Sequence, residues 1–264
     1  MIHKIVSYLR FLFQGKTKYS IQSPFVHNFI ERVLDDREVY YSYLGMDYLK
    51  SKLVKDKTIL EVDDMGAGSH FSSKNIKTVK QISKTVVSSD LKAQALFKLV
   101  NLYQPKSIVE LGTSLGLTTC YLANGKRNSK LTTVEGSKSI YEIAIKNFKK
   151  MGLQKINAIN ASFDEVLPLL IKEEKNLGVV FFDGNHTEQA TLDYFRVCKA
   201  NASHETIFIF DDIYWSKSMT LAWEKIISDP SISLSLDLFS FGVVFFLKNR
   251  PKQHVQIIHP INLH

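Results

Sequence analysis

Residues 107–123 read SIVELGTSLGLTTCYLA. Ile108, Val109 and Leu111 make an apolar strand, a turn carrying Gly112 and Gly116 follows, and Leu117, Tyr121 and Leu122 fall at helical spacing. Glu110 stands near the strand's end. Glycine in such a turn lets the backbone approach a ligand closely, and the first N–H groups of the helix point at it, which suits a nucleotide-type cofactor. The spacing is E-x-G-x-x-x-G rather than G-x-G-x-x-G, so the dinucleotide fingerprint is not met. Alone, the turn reads equally well as a strand–helix junction with no ligand.

The stretches that follow shift the balance. LTTVEG, residues 131–136, is a second strand ending in Glu135, an acid placed to accept from both hydroxyls of a ribose. Residues 156–159 start a third apolar segment that runs into NASFDEVLPLL; LGVVFFDGNH ends a fourth in Asp183; TIFIFDDIYW ends a fifth in Asp211 and Asp212. Helical patterns near 115–124, 138–151, 163–174, 187–200 and 216–228 separate and follow them. Acidic or small residues thus collect at successive strand C-termini, where open α/β sheets bind ligands. The alternating run 231–239 and the apolar run 242–247 are joined by so short a turn that they must pair antiparallel.

Upstream, residues 2–13 place Ile2, Ile5, Val6, Leu9, Leu12 and Phe13 on one helical face, with Lys4 and Arg10 elsewhere. That face is expected to dock on its own domain or on a twin subunit, with a membrane surface as the other reading. Ser23 and Pro24 fit an N-cap and first helical position. Residues 59–70 offer a second G-x-G at Gly66 and Gly68, but no acid-tipped strand follows at a suitable distance; they read as a loop able to cover the site. Helices are expected over 76–83 and 90–103, and Pro105 stops the second.

At 264 residues the chain can bury one substantial core with an appendage. The net charge of +8 is spread over scattered lysines, with no aromatic-interleaved RNA-binding pattern, so nucleic acid is disfavoured as a partner but stays open. Cys120 and Cys198 lie far apart in predicted helices and read as buried thiols of a reducing compartment. No run approaches a membrane span and no signal-peptide pattern stands at the N-terminus, so a cytoplasmic location is expected.

On the motifs VELGTSLGLTT, TTVEGS, NASFDEVLP, FFDGNHTEQ and FDDIYW, the sequence resembles the class I S-adenosylmethionine-dependent methyltransferases. It is most similar to their small-molecule O-methyltransferase branches of catechol and macrocin type. The resemblance implies a Rossmann-like seven-stranded sheet, mostly parallel with an antiparallel C-terminal hairpin, behind an N-terminal helical extension. The corresponding division is an extension over 1–87 with a glycine-containing loop near 63–73, a cofactor-binding domain over 88–250 and a tail over 251–264. Glu110, Gly112, Thr113, Ser114 and Gly116 would hold the methionine part of S-adenosylmethionine, Glu135 the ribose, Ser162 and Phe163 the adenine, and Asp183 would sit by the sulfonium. A sulfonium is cationic, so carboxylates and carbonyls suit it.

In metal-dependent branches of that family the residues matching Asp183, Asp211 and Asp212 bind a divalent ion, and three hard oxygen ligands suit Mg²⁺. The other reading of the Asp211–Asp212 pair is helix capping. Two departures from the catechol pattern stand out: Asp212 replaces the usual Asn, and His186 stands where that group carries a catalytic Lys. His186 is the candidate base. Tyr214 and Trp215 are candidates to wall an acceptor pocket, whereas Trp223, at helical spacing from Met219 and Ile226, reads as core. The expected activity is O-methylation of a small-molecule acceptor, with homodimerisation through the N-terminal helices as a partner expectation. An RNA methyltransferase, a non-catalytic cofactor-binding module and a membrane-associated enzyme acting on a lipid or glycan are the competing readings.

Overall fold

A computed structural model of the chain describes residues 2–63, 75–86, 90–174 and 177–263, with side chains for all of these but 85, 86 and 263. In chain order the elements begin with helix α1 (Ile2–Gln14), α2 (Pro24–Phe29, continued by a π-turn over Ile30–Leu34) and α3 (Ser42–Leu53). Strands β1 (Ile59–Val62) and β2 (Asn75–Thr78) and helices α4 (Val79–Val86) and α5 (Asp90–Tyr103) follow. Then come β3 (Ser107–Leu111), α6 (Leu117–Gly125), β4 (Lys130–Glu135), α7 (Lys138–Lys150), β5 (Asn157–Asn160) and α8 (Phe163–Glu173). The chain continues through β6 (Val179–Phe182), α9 (Glu188–Lys199), β7 (Ile207–Asp211), α10 (Lys217–Ser228), β8 (Leu234–Asp237), β9 (Phe241–Phe245) and β10 (Gln253–Gln256).

The main sheet has eight strands in the order β10-β8-β9-β7-β6-β3-β4-β5. β3 pairs parallel with β4, β4 with β5, and β6 with β7, while β9 runs antiparallel to both β7 and β8. β3, β6 and β7 are buried at every residue, as expected of parallel strands covered on both faces. The expected α/β architecture and the antiparallel ending are therefore present. The strand count differs: QHVQ at 253–256 forms an eighth strand, parallel to β8. Its polar residues hid it, because an edge strand needs backbone pairing rather than an apolar run.

Two compact units divide the chain, residues Met1–Asp35 with Leu167–His264, and residues Asp36–Val166. In the second, Tyr43, Met46, Leu49 and Leu53 of α3 pack with Phe97 of α5, Tyr121 of α6 and Phe148 of α7. Each fully buried side chain of this kind stabilises the fold by about 1.5–3 kcal/mol. Residues 59–62 and 75–78 correct two expectations. They pair antiparallel as a two-stranded sheet, where a loop and the start of a helix were expected. The exposure of Ile59 and Ile76 removes the burial pattern that would have marked them. Gly66 and Gly68 lie outside the described residues.

In the first unit, Ser23 caps α2 by accepting from the Val26 N–H, as its sequence predicts. Trp223 is buried, against Phe210. α1 forms over the expected residues but presents the opposite face: Ser7 and Phe11 are buried, while Ile2, Ile5, Val6, Leu9, Leu12 and Phe13 are exposed.

Candidate cofactor cradle and catalytic residues

The loops after β3, β4 and β5 meet at Glu135. Its Oε2 accepts from the Ser114 N–H at 2.9 Å and its Oε1 from the Ser137 N–H at 2.9 Å. Its backbone carbonyl accepts from the Ala161 N–H at 3.2 Å and from the Asn160 side-chain amide at 2.8 Å. One residue therefore fixes the glycine turn, the start of α7 and the segment leading to Ser162 and Phe163. A carboxylate offers about four lone-pair sites, so capacity remains for a further donor. Burial raises the Glu135 pKa, against the opposing pull of the Ser137, Ser114 and Gly136 N–H groups. β1 lies beside the same turn, its Glu61 carbonyl accepting from the Ser139 hydroxyl at 2.6 Å.

The turn itself is strained. Ser114 has φ +48°, Gly112 +107° and Gly116 +80°. Ser114 is held in the left-handed region, which costs a non-glycine residue about 1–2 kcal/mol, by the bond to Glu135. Gly116 is required by the protein's own packing, since a Cβ there would stand 2.6 Å from Phe148 Cε1. Gly112 and Thr113 donate their N–H groups to the Val134 carbonyl, tying the turn to β4.

Beneath the turn lies a buried hydroxyl chain that the sequence reading did not identify. Thr113 Oγ1 is 2.6 Å from Thr133 Oγ1, the Thr133 hydroxyl donates to Glu110 Oε2 at 2.6 Å, and the Thr119 hydroxyl donates to the same oxygen at 2.5 Å. The threonines of LTTC and LTTVE were the available signal, but strand alternation alone does not reveal a partner. Glu110 is fully buried and its Oε1 has no hydrogen-bond partner. Burial pushes its pKa up to about 7, although the Thr119 and Thr133 hydroxyls pull the other way, and Glu135 adds to the rise. A carboxyl raised in the folded state stabilises most below its unfolded pKa, and that contribution is lost as pH climbs through the folded value. From 4.5 to about 7, the loss reaches about 3 kcal/mol above neutrality. Wild type is therefore expected to lose stability between pH 5 and 8 relative to Glu110→Gln, read from urea midpoints across that range; parallel profiles would refute the assignment.

The remaining candidates lie in the first unit. Asp183 follows β6, and its Oδ1 is 3.8 Å from His186 Nε2, both side chains being partly exposed. Between them Asn185 has φ +49°, and Thr187 caps α9 by accepting from the Ala190 N–H. Asp211 is buried at the end of β7. Asp212 has φ +52°, donates its N–H to the Ser240 carbonyl and accepts from the Trp215 N–H. Asn and Asp are enriched in that backbone region, which gives the position a conformational reason for an acid or its amide. Among the described residues no three His, Cys, Asp or Glu side chains gather so as to hold a metal ion. Asp183, Asp211 and Asp212 are not gathered into such a group.

Tyr214 is turned to structure: its hydroxyl donates to Asp237 Oδ2 at 2.6 Å and its ring stacks on Phe239. Burial, reinforced by Asp237, raises its pKa far above the ordinary phenol value. Trp215 is 61% exposed, with the Lys4 ammonium 5.6 Å from its ring centroid. A cleft of about 570 Å³ opens by Arg127, Leu131, Gly152 and Lys155, at the amino end of β4. It contains none of these candidates, and open sheets bind ligands at the carboxyl ends.

The family described as "Methyltransferase domain" matches residues 109–213. An O-methyltransferase from Bacillus cereus, solved with SAH, shares 18% identity with a TM-score of 0.53, covering 83% of this chain and 96% of its own. The O-methyltransferase TomG from Streptomyces achromogenes, solved with SAM, shares 16% at a TM-score of 0.52, over 60% and 81% of the two chains. The SAH-bound Podospora anserina methyltransferase PaMTH1 shares 15% at a TM-score of 0.54, over 80% and 99%. No curated protein matches the sequence. Residues 109–213 thus match the methyltransferase-domain family, and the chain shares the fold of these solved methyltransferases.

Proposed function

We propose that the protein transfers a methyl group from S-adenosylmethionine to an oxygen of a small-molecule acceptor. The observation that carries this is the Glu135 clamp, which joins the loops at the carboxyl ends of β3, β4 and β5 within a methyltransferase domain. When bound, the cofactor supplies a methyl group activated on a sulfonium. Glu135 presents its remaining lone pairs to the ribose hydroxyls; Ser162 and Phe163 flank the adenine; the strained turn at Gly112, Thr113, Ser114 and Gly116 receives the amino-acid end. Glu110, with one buried oxygen lacking a donor, favours a cationic group above the turn.

Asp183 is the acid assigned to the sulfonium, and His186 takes the proton from the acceptor hydroxyl. Imidazole is a competent base near neutral pH, and the 3.8 Å separation lets the Asp183 carboxylate stabilise the imidazolium that forms. Trp215 is the one aromatic after β7 left exposed to meet a flat acceptor. Most of the acceleration is assigned to alignment of the two reactants. The competing reading without catalysis fails if SAM is turned over to SAH with any hydroxylated acceptor.

The test uses a panel of hydroxylated small acceptors, with SAH release and SAM binding measured separately. His186→Gln is expected to lower kcat by about 10²–10⁴-fold while SAM affinity stays unchanged. Full turnover by that variant, or loss of wild-type turnover on treatment with EDTA, would overturn the assignment of the base.

A further inference from the structure

We propose that α1 lies in the interface of an anionic lipid bilayer. At about 100° per residue, Ile2, Ile5, Val6, Leu9, Leu12 and Phe13 occupy one arc of the helix, opposite Ser7 and Phe11. All six are exposed, Ile2 by 80% and Phe13 by 90%. A soluble helix turns such a stripe to its own core; this one turns it outward, and the inner face is already fixed. His3 Nε2 lies 3.0 Å from the Thr220 hydroxyl, and Tyr8 and Phe11 pack on Phe239 with ring centroids 4.8 and 5.5 Å away. At the helix's end the Lys16 N–H donates to the Gln256 carbonyl, the Lys16 carbonyl accepts from the Ile258 N–H, and a Cβ on Gly15 would stand 2.6 Å from Ile258. The helix cannot roll its stripe inward without breaking these contacts.

Charge selects the occupant. Residues 2–30 contain no Asp or Glu, whereas Lys4, Arg10, Lys16 and Lys18 all fall within them. Lys18 is paired with Asp35; Lys4, Arg10 and Lys16 are exposed. Trp215 beneath Lys4 and the exposed Tyr19 add aromatics of the kind that settle at headgroup level. A two-fold interface through α1 would set this basic patch against its own copy, in a chain of net charge +8. An anionic surface neutralises it. Thirteen residues of helix reach about 20 Å, too short to cross a bilayer and suited to lying along it.

The experiment is flotation of the full chain with phosphatidylcholine vesicles, with and without one quarter phosphatidylglycerol, together with light scattering of the lipid-free protein. Wild type is expected to float with the anionic vesicles at least tenfold more than with the neutral ones. Ile5→Glu combined with Leu9→Glu, both on the exposed face of α1, is expected to reduce flotation at least tenfold with the thermal midpoint retained. Wild type that stays at the bottom of the gradient, or a double variant that floats equally well, overturns the proposal. So does a lipid-free dimer that the double variant converts to monomer without any flotation, which would assign the stripe to a second copy.

Discussion

Gly116→Ala is expected to destabilise the protein by about 2–5 kcal/mol. Two costs coincide there. The residue has φ +80°, so any Cβ meets left-handed strain of about 1–2 kcal/mol. That Cβ would also stand 2.6 Å from Phe148 Cε1, 3.0 Å from Cζ and 3.4 Å from Ala144 Cβ. Phe148 and Ala144 are buried residues of α7 in the core cluster, so overpacking adds about 1–3 kcal/mol. Gly152 separates the two terms: its φ is +68°, but a Cβ there meets nothing within 4 Å. Gly152→Ala is expected to cost about 1 kcal/mol, the strain alone. Urea midpoints at unchanged m-value measure both. Equal losses at the two glycines would show that packing against Phe148 contributes nothing.

The largest effect on the cofactor is expected at Glu135. Glu135→Gln keeps the shape but replaces one oxygen by an amide that must face the N–H of either Ser114 or Ser137. One buried donor is then unmatched, at about 1–3 kcal/mol, and the charge on the ribose contact is removed as well. Ser114 loses what holds it at φ +48°. SAM affinity is expected to fall by roughly 30- to 1000-fold, or about 2–4 kcal/mol, measured by titration calorimetry with SAM and again with SAH. A change under threefold would remove Glu135 from the cradle.

Much of the second half of the chain was legible because β3, β4, β6 and β7 are short runs that carry or lead into an acid, whereas the polar β10 gave no such sign. What escaped has identifiable causes. β1 and β2 pair with each other through residues that stay largely exposed, so no burial pattern marks them. Docking of the α1 stripe on its own domain is not found, because periodicity reports that a stripe exists, not which side of the helix meets the protein. Gly116 has a packing reason that spacing along the sequence does not show, the ring of Phe148. The Thr113–Thr133–Glu110–Thr119 chain joins a turn, two strands and a helix, a convergence that no spacing along the sequence encodes.

The seat of α1 also sets an order on biosynthesis. Lys16 pairs with residues 256–258, so the seat of α1 is complete only after β10 has been made. The unit spanning 36–166 is continuous in the chain and can mature while the other still awaits its C-terminal half. During that interval the nascent polypeptide displays Tyr8 and Phe11 as well as the outward stripe.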